Sequence, residues 1–269
     1  TPVEPHVVYT RMEADRLVIH ASTQVPYHLR RIIGRILGVP ENRIRVIKER
    51  VGGGFGAKQD MVLEEVAAYC TWVTGRDILF RFTREEEFVA SRTRHPMRVR
   101  VRLGARRDGT LTAMHMDLEA NTGPYGGHCL TVPMNACSKS LPLFMCENVL
   151  FEVHSYYSNI PPTGAYQGYG APQGSFALQL AAAELSHQLG IDHLAFLEKN
   201  RVRDGSMLEI LRCLGEGREG TPQKVFTCGL GPELEQGSRM LGWGTRVESA
   251  DPDVKIGKGV VIIQQGSGL

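Results

Sequence analysis

Apolar positions along the first third of the chain alternate between two periods, one typical of strands and one typical of helices. Short aliphatic and β-branched runs predict strands at 17–23, 43–47 and 78–82. Between the first two, Pro26 opens a helix over 27–37 with one apolar face, formed by Leu29, Ile32, Ile33, Ile36 and Leu37. The pattern indicates an α+β fold of mixed sheets and helices.

A second helix is expected at about 60–74, and Thr83 followed by Glu86 has the form of a capping box that opens a short third helix. Two strands, 97–103 and 111–118, flank an Asp-Gly turn and predict a hairpin. The remaining predicted elements are a strand at 149–157, helices at 176–189, 192–200 and 232–241, and a final strand at 259–263. Residues 121–147 lack clean periodicity and are expected to form a long functional loop, and 244–258 a linker.

The sequence Gly52-Gly53-Gly54-Phe55-Gly56 lies between a predicted strand and a predicted helix. Glycine costs backbone entropy and buries no side chain, so packing alone does not account for four glycines in five residues. A strand, a glycine turn and a helix N-terminus would present backbone N–H groups at the positive end of a helix dipole. We therefore expect a cradle for an anion or an oxygen-rich cofactor.

Three other interpretations of this loop were weighed. A nucleotide-triphosphate loop needs glycine before the lysine and Ser or Thr after it, whereas Ala57 and Gln59 flank Lys58 here. A dinucleotide fingerprint fits only loosely, since no acidic residue ends a second strand about twenty positions later. A purely structural turn stays open, although Phe55 within it would need something to pack on.

A second glycine-rich turn, at 162–174, precedes the helix predicted at 176–189. Its Gln167 offers both a donor and an acceptor, which suits a ligand of mixed polarity. On sequence grounds, Tyr166 and Tyr169 are either core residues or residues that contact a ligand. Arg94, in Arg94-His95-Pro96, is either a surface residue or a pocket cation able to pair with a carboxylate or a developing oxyanion.

Composition narrows the function classes. The 269 residues carry a formal net charge of +2, so no strong preference for nucleic acid follows. The arginines at 98, 100 and 102 alternate along a strand, which is typical of a solvated face. The six cysteines form no C-x-x-C pair and no disulfide framework, so we expect a reducing, cytoplasmic setting.

Five short motifs, in order along nearly the whole chain, resemble those of the molybdenum hydroxylase family of xanthine dehydrogenase and aldehyde oxidase. They are Glu4-Pro5-His6, Ser22-Thr23-Gln24, the loop Gly52 to Lys58, Arg94-His95-Pro96, and the segment Ala165 to Gln173. The sequences G-F-G-A-K-Q-D and A-Y-Q-G-Y-G are most similar to the subgroup of selenium-dependent xanthine and hypoxanthine dehydrogenases. The resemblance implies the molybdopterin-binding fold of that family.

The resemblance also implies roles for individual residues. Gln24 matches a glutamine near the apical molybdenum ligand, and no direct metal ligand is implied. The first loop, with Gly54, Phe55 and Gly56, matches the one whose amides approach the pterin. The other implied positions are Gln167 beside the cofactor, Gln59 and Tyr169 against the substrate, and Arg94 as substrate-binding and catalytic residue that stabilises charge on a purine.

Two departures from the family pattern bear on the substrate. Gln59 stands where xanthine enzymes have a glutamate, and an amide can hydrogen-bond a heterocycle edge but cannot move protons. Arg94 argues against a simple aldehyde oxidase. Gly168 follows Gln167, where carbon monoxide enzymes of the family carry a cysteine in this loop.

The resemblance implies a first molybdenum-cofactor-binding domain over 1–225 and the start of a second over 226–269. The cofactor would be molybdopterin, in a plain or cytosine dinucleotide form, with iron–sulfur clusters and FAD on other domains or subunits. The family's catalytic glutamate lies further downstream, so we expect a piece of a longer protein that does not turn over alone. The implied reaction is hydroxylation of an N-heterocycle such as xanthine or hypoxanthine by water; a non-catalytic assembly module and an aldehyde oxidoreductase are the alternatives.

Overall fold

The computed structural model describes residues 1–213 and 219–265. The α+β class is confirmed by mixed sheets and helices in chain order. The strands are β1 Val7–Glu13, β2 Arg16–Ala21, β3 Ile44–Ile47, β4 Ile78–Arg81, β5 Met97–Ala105, β6 Leu111–Asn121, β7 Asn148–Tyr156, β8 Met207–Leu208 and β9 Gln223–Lys224. The helices are α1 Pro26–Leu37, α2 Glu64–Thr74, α3 Arg84–Ala90, α4 Thr131–Ser138, α5 Ala171–Gln188, α6 His193–Asn200 and α7 Leu230–Leu241.

The chain divides into two compact units. The first, called unit 1, comprises Thr1–Pro96, Ala120–Val132 and Ser155–Tyr169. The second, unit 2, comprises Met97–Glu119, Pro133–His154 and the described residues from Gly170 onward. Each unit therefore draws on separate stretches of sequence, and the predicted domain boundary near 225 stays a prediction.

Unit 1 is built on a four-stranded mixed sheet in the order β3-β2-β1-β4. β1 pairs antiparallel with both β2 and β4, whereas β2 and β3 run parallel. Helices α1 and α2 pack on this sheet through one apolar cluster, to which α1 contributes Leu29 and Ile33 and α2 contributes Ala67 and Ala68. The cluster contains Val8, Leu17, Ile19, Leu29, Ile33, Ile44, Leu63, Ala67, Ala68 and Phe82.

Unit 2 contains a three-stranded sheet in the order β5-β6-β7, with α5 packed against β5. The predicted Asp108-Gly109 turn joins β5 and β6, and Gly109 has the positive φ of 84° that such a turn requires. The exposed arginines of β5 face carboxylates on β6, with Arg100 2.8 Å from both Asp117 and Glu119. The solvated-face interpretation of this stripe agrees with these contacts.

Several predicted elements need correction. β1 was not predicted, and part of the loop expected at 121–147 forms α4 and a 3-10 turn at Leu141–Leu143. Residues 259–263 are not a strand, because within the described residues they have no strand to pair with; Ile262 is held instead by the Gln179 side chain. The C-terminal residues beyond 265 lie outside the described residues.

The second helix starts later than predicted, at Glu64 rather than near 60. The Glu64 carboxylate accepts hydrogen bonds from the backbone N–H groups of Val62 and Leu63, at 3.0 and 3.1 Å, and so ends the preceding loop. The first glycine loop is therefore separated from the helix, and the expected helix dipole beneath it is absent. The second glycine turn does run directly into a helix, since α5 begins at Ala171.

The predicted capping box at the start of α3 is present. Thr83 Oγ1 accepts from the Glu86 N–H at 3.2 Å, and the Glu86 carboxylate accepts from the Thr83 N–H at 2.8 Å. Among the helices of residues 1–213 and 219–265, none has the length and apolar character needed to span a membrane.

Replacing Thr83 by alanine should lower the free energy of unfolding by about 1 kcal/mol, because the Glu86 N–H then loses its acceptor. Urea unfolding measures the change. Thr83→Ser keeps the hydroxyl and is the matched control, expected to stay near the wild-type value. Equal stability of the alanine and serine variants would contradict the role of this cap.

Candidate functional site

The first glycine loop is fixed at both ends by a buried cluster of side chains. The Lys58 side chain is fully buried, and its ammonium donates to Glu4 Oε2 at 2.7 Å and to Ser22 Oγ at 2.8 Å. Ser22 also donates to Glu4, and the Gly52 N–H donates to Glu4 Oε2 at 2.9 Å. One carboxylate therefore ties the first residue of the loop to the lysine that follows it.

Burial alone would raise the pKa of Glu4. The hydrogen bonds from Lys58, Ser22 and the Gly52 N–H outweigh burial, and the pKa of Glu4 lies below its ordinary 4.5. The carboxylate is thus ionised at neutral pH, which pairs it with the buried ammonium. A buried lysine without such a partner would be strongly destabilising.

A second buried pair supports the same loop from α3. The His6 ring lies between the Glu87 carboxylate, 2.9 Å from Nδ1, and the Ala57 carbonyl oxygen, 3.2 Å from Nε2. Burial would raise the pKa of Glu87, but donation from the His6 N–H and ring, with Lys58 nearby, holds it below its usual value. The motif Glu4-Pro5-His6 therefore contacts both ends of the glycine loop.

The glycine loop presents unpaired donors at its centre. Within the described part of the chain, the N–H groups of Gly53, Gly54 and Phe55 donate to no protein acceptor. Gln24 Oε1 accepts from the Gly56 N–H at 2.9 Å, and its own Nε2 has no protein partner among the described residues. These four N–H sources form a cradle suited to an oxygen-rich anionic group.

Two glycines of this loop lie in close contact with neighbouring segments. A Cβ on Gly54 would lie 2.5 Å from Gln24 Oε1, and a Cβ on Gly56 would lie 2.9 Å from the Ala165 carbonyl carbon. Gly56 also has a φ of 93°. The loop thus lies directly against both Gln24 and the second glycine turn. Phe55, which was expected to need a packing partner, is 58% exposed.

Arg94 holds the second turn. Its Nη2 donates to the Gln167 carbonyl oxygen at 2.6 Å, and its guanidinium lies 5.0 Å from the centre of the Tyr166 ring. The Gln167 side chain itself is exposed. The neighbouring His95 is buried, with Nε2 3.0 Å from the Gly127 carbonyl oxygen, in line with the structural role that its position before proline suggests.

The other two predicted substrate residues, Gln59 and Tyr169, are placed differently. Gln59 is half-buried, and its side-chain amide has no partner within the described residues. Tyr169 has a φ of 44°, and its hydroxyl bonds to His128 Nδ1 and to Thr131 Oγ1, the latter at 2.5 Å. Gln59 therefore offers a free amide, whereas the hydroxyl of Tyr169 is already engaged.

All eight predicted site residues lie in unit 1. The structure joins Gln24, Gly54 and Gly56 in one contact set, and Arg94 with Gln167 in another. Sequence reasoning missed the supporting residues Glu4, Lys58, Glu87, Asp60 and His128. Three of them carried a signal, since Glu4, Lys58 and Asp60 lie inside recognised motifs. A buried lysine is nevertheless not recognisable from sequence.

Residues 1–201 match the family described as "Molybdopterin cofactor-binding domain". The chain is 56% identical over all 269 residues to the probable hypoxanthine oxidase XdhD of Escherichia coli strain K12, covering 28% of that protein. It is 35% identical to the xanthine dehydrogenase molybdenum-binding subunit of Escherichia coli O157:H7, over 87% of this chain and 30% of that subunit. The chain thus spans less than a third of the length of these relatives.

Solved structures with the same fold include two oxidoreductases. The aldehyde oxidoreductase from Desulfovibrio gigas superposes with a TM-score of 0.77 and 26% identity, over 90% of this chain and 25% of that one. Quinoline 2-oxidoreductase from Pseudomonas putida 86 gives a TM-score of 0.78 at 21% identity, over 90% of this chain and 30% of that one. The second likeness concerns the fold alone.

Replacing Lys58 by methionine should destabilise the chain by about 3 kcal/mol, because it leaves the Glu4 carboxylate without its buried cation. Chemical unfolding measures the loss. Lys48→Met, at an exposed lysine nearby in sequence, is the control and should change stability by less than about 0.5 kcal/mol. Equal effects of the two substitutions would show that the Lys58 cluster does not hold the loop.

Proposed function

Because the chain belongs to the molybdopterin cofactor-binding domain family, we propose that it forms part of the active site of a molybdenum hydroxylase acting on an electron-poor N-heterocycle. The observation that carries the proposal is the cradle of N–H groups at Gly53, Gly54 and Phe55, which have no acceptor in the part of the chain that the structure describes, beside the Gln24 amide. Hypoxanthine is the first candidate substrate, given the name of the relative that is 56% identical over the whole chain.

The residues present fit the molybdenum cofactor. The cradle supplies N–H donors for its oxygen atoms, and Gly54 and Gly56 leave no room for side chains where the loop meets Gln24 and Ala165. When bound, the cofactor would accept two electrons from the substrate while water supplies the oxygen. Gln24, the loop amides and Gln167 would hold it, in a plain or cytosine dinucleotide form.

On the substrate side, the Gln59 amide would donate to or accept from the edge of the heterocycle. Tyr169 would offer its ring as a wall, since its hydroxyl is bonded within the protein. The Arg94 guanidinium would stabilise negative charge that develops on the ring during attack, and it also fixes the turn that carries Gln167. These roles need no proton transfer by Gln59.

The parent protein would supply the rest of the site. The proposal includes a second molybdenum-binding domain that begins near residue 226, a downstream catalytic glutamate, and iron–sulfur and flavin centres on other domains or subunits. The six unpaired cysteines support the proposal of a cytoplasmic setting, because structural disulfides are rare in reducing compartments. An aldehyde substrate is the alternative, favoured by the likeness to the aldehyde oxidoreductase of Desulfovibrio gigas.

The direct test uses the full-length parent purified with its partner subunits. We expect molybdenum and pterin in the protein and hydroxylation of hypoxanthine with oxygen from labelled water. Oxidation of benzaldehyde without any purine turnover would favour the alternative. Loaded cofactor without turnover of either compound would contradict the enzymatic proposal and favour an assembly module.

In the same parent, Arg94→Ala should reduce kcat/KM for the purine by roughly a hundredfold, the equivalent of about 3 kcal/mol of lost charge stabilisation. Arg98→Ala removes an exposed arginine of β5 and is the control, expected to leave turnover unchanged. Steady-state kinetics on protein of matched molybdenum content provides the measurement. Near-normal turnover of the Arg94 variant would rule out its catalytic role.

A further inference from the structure

A line of polar side chains, joined by hydrogen bonds and one ion-pair contact, runs behind Tyr169 in unit 1. His128 Nδ1 bonds to the Tyr169 hydroxyl, and His128 Nε2 lies 3.4 Å from Asp60 Oδ1. The other carboxylate oxygen of Asp60 accepts from Arg92 Nε at 3.0 Å. The order Arg92, Asp60, His128, Tyr169 joins residues from four separate stretches of the chain.

The charge on Asp60 determines which atom carries the hydrogen at the His128 end of this line. Burial would raise the pKa of Asp60, but the facing His128 and the Arg92 guanidinium outweigh it, and the pKa lies below its ordinary value. An ionised carboxylate only accepts, so His128 Nε2 carries the hydrogen. With no hydrogen on Nδ1, the Tyr169 hydroxyl donates to His128 and Thr131 donates to the Tyr169 oxygen; with a hydrogen on Nδ1, His128 donates to Tyr169.

His128 reaches this position because the backbone at Gly127 lies close to the second glycine turn. A Cβ on Gly127 would lie 2.6 Å from the Thr163 carbonyl oxygen, so only glycine lets this segment lie against the second turn. His128 and Tyr169 both have positive φ, 55° and 44°, and their rings meet edge to face at 5.4 Å. Left-handed backbone is strained for residues with a Cβ. The contact between the two side chains therefore offsets backbone strain at both His128 and Tyr169.

We propose that His128, oriented by Asp60, is a positioning residue that fixes the ring of Tyr169 against the heterocycle, an inference that rests on the proposed function. With its hydroxyl held by His128 and Thr131, Tyr169 presents a flat aromatic surface of fixed orientation. Asp60 directly follows Gln59, so the same carboxylate also restrains the residue that offers its amide to the substrate.

The test is a double-mutant cycle of His128→Ala and Tyr169→Phe in the full-length, cofactor-loaded parent with hypoxanthine. Each single variant should lose about tenfold in kcat/KM, the loss expected for one hydrogen bond. The double variant should lose no more than either single variant, because His128 acts through the Tyr169 hydroxyl. His28→Ala, at an exposed histidine of α1, is the control and should retain full turnover.

A merely structural role for His128 would give additive losses, or a loss explained by lower molybdenum content, and either result would overturn the proposal. If the parent oxidises benzaldehyde but no purine, the proposal of a purine substrate is wrong. The double-mutant cycle is then measured with benzaldehyde, and the same two outcomes decide the role of His128. If the parent turns over neither compound, the free energy of unfolding is measured for the wild type, the two single variants and the double variant. Additive stability losses would then overturn the His128–Tyr169 coupling, and non-additive losses would support it.

Discussion

The cofactor cradle depends on one interaction, the ion pair between the buried Lys58 ammonium and the partly buried Glu4 carboxylate. A loop of four glycines has little tendency to hold one conformation, because glycine has the largest backbone freedom to lose. Glu4 and Ser22 bind Lys58 at one end of the loop, and Glu4 also binds the Gly52 N–H at the other. The ends are thereby fixed, and among the described residues the N–H groups of Gly53, Gly54 and Phe55 have no protein acceptor.

The residues that contact this loop come from separate stretches of the chain. Gln24 binds the Gly56 N–H from β2's end, His6 reaches the Ala57 carbonyl from the start of β1, and the second turn touches Gly56 through Ala165. Arg94 then fixes that turn at Gln167, and His128 fixes Tyr169. Unit 1 therefore assembles the proposed site from short motifs that are distant in sequence, with charged residues placed behind the surface that would face ligands.

Much of the fold could be predicted because periodicity reports burial directly: α1, β2, β3, β4 and the β5–β6 hairpin lie close to their predicted bounds. The failures have physical causes. The apolar run Met61-Val62-Leu63 extended the α2 pattern backward, whereas the Glu64 carboxylate binds the N–H groups that precede the helix. The segment 259–263 was expected to be a strand, but a strand needs a neighbouring strand to pair with. The apolar pattern of the segment does not show whether such a neighbour is present. At the site, motifs located the loops, but the buried role of Lys58 and the Asp60–His128–Tyr169 line depend on tertiary contacts alone.

The central claim is that the N–H groups of Gly53, Gly54 and Phe55 receive the cofactor. Hydrogen exchange of the full-length parent, with and without molybdenum cofactor, tests it most directly. We predict slowed exchange confined to peptides that cover 52–56, the Gln24 segment and the second glycine turn at Gln167, with no change in the β5–β6 hairpin at 97–121. Unchanged exchange of the glycine loop in protein shown to carry molybdenum and pterin would contradict the account.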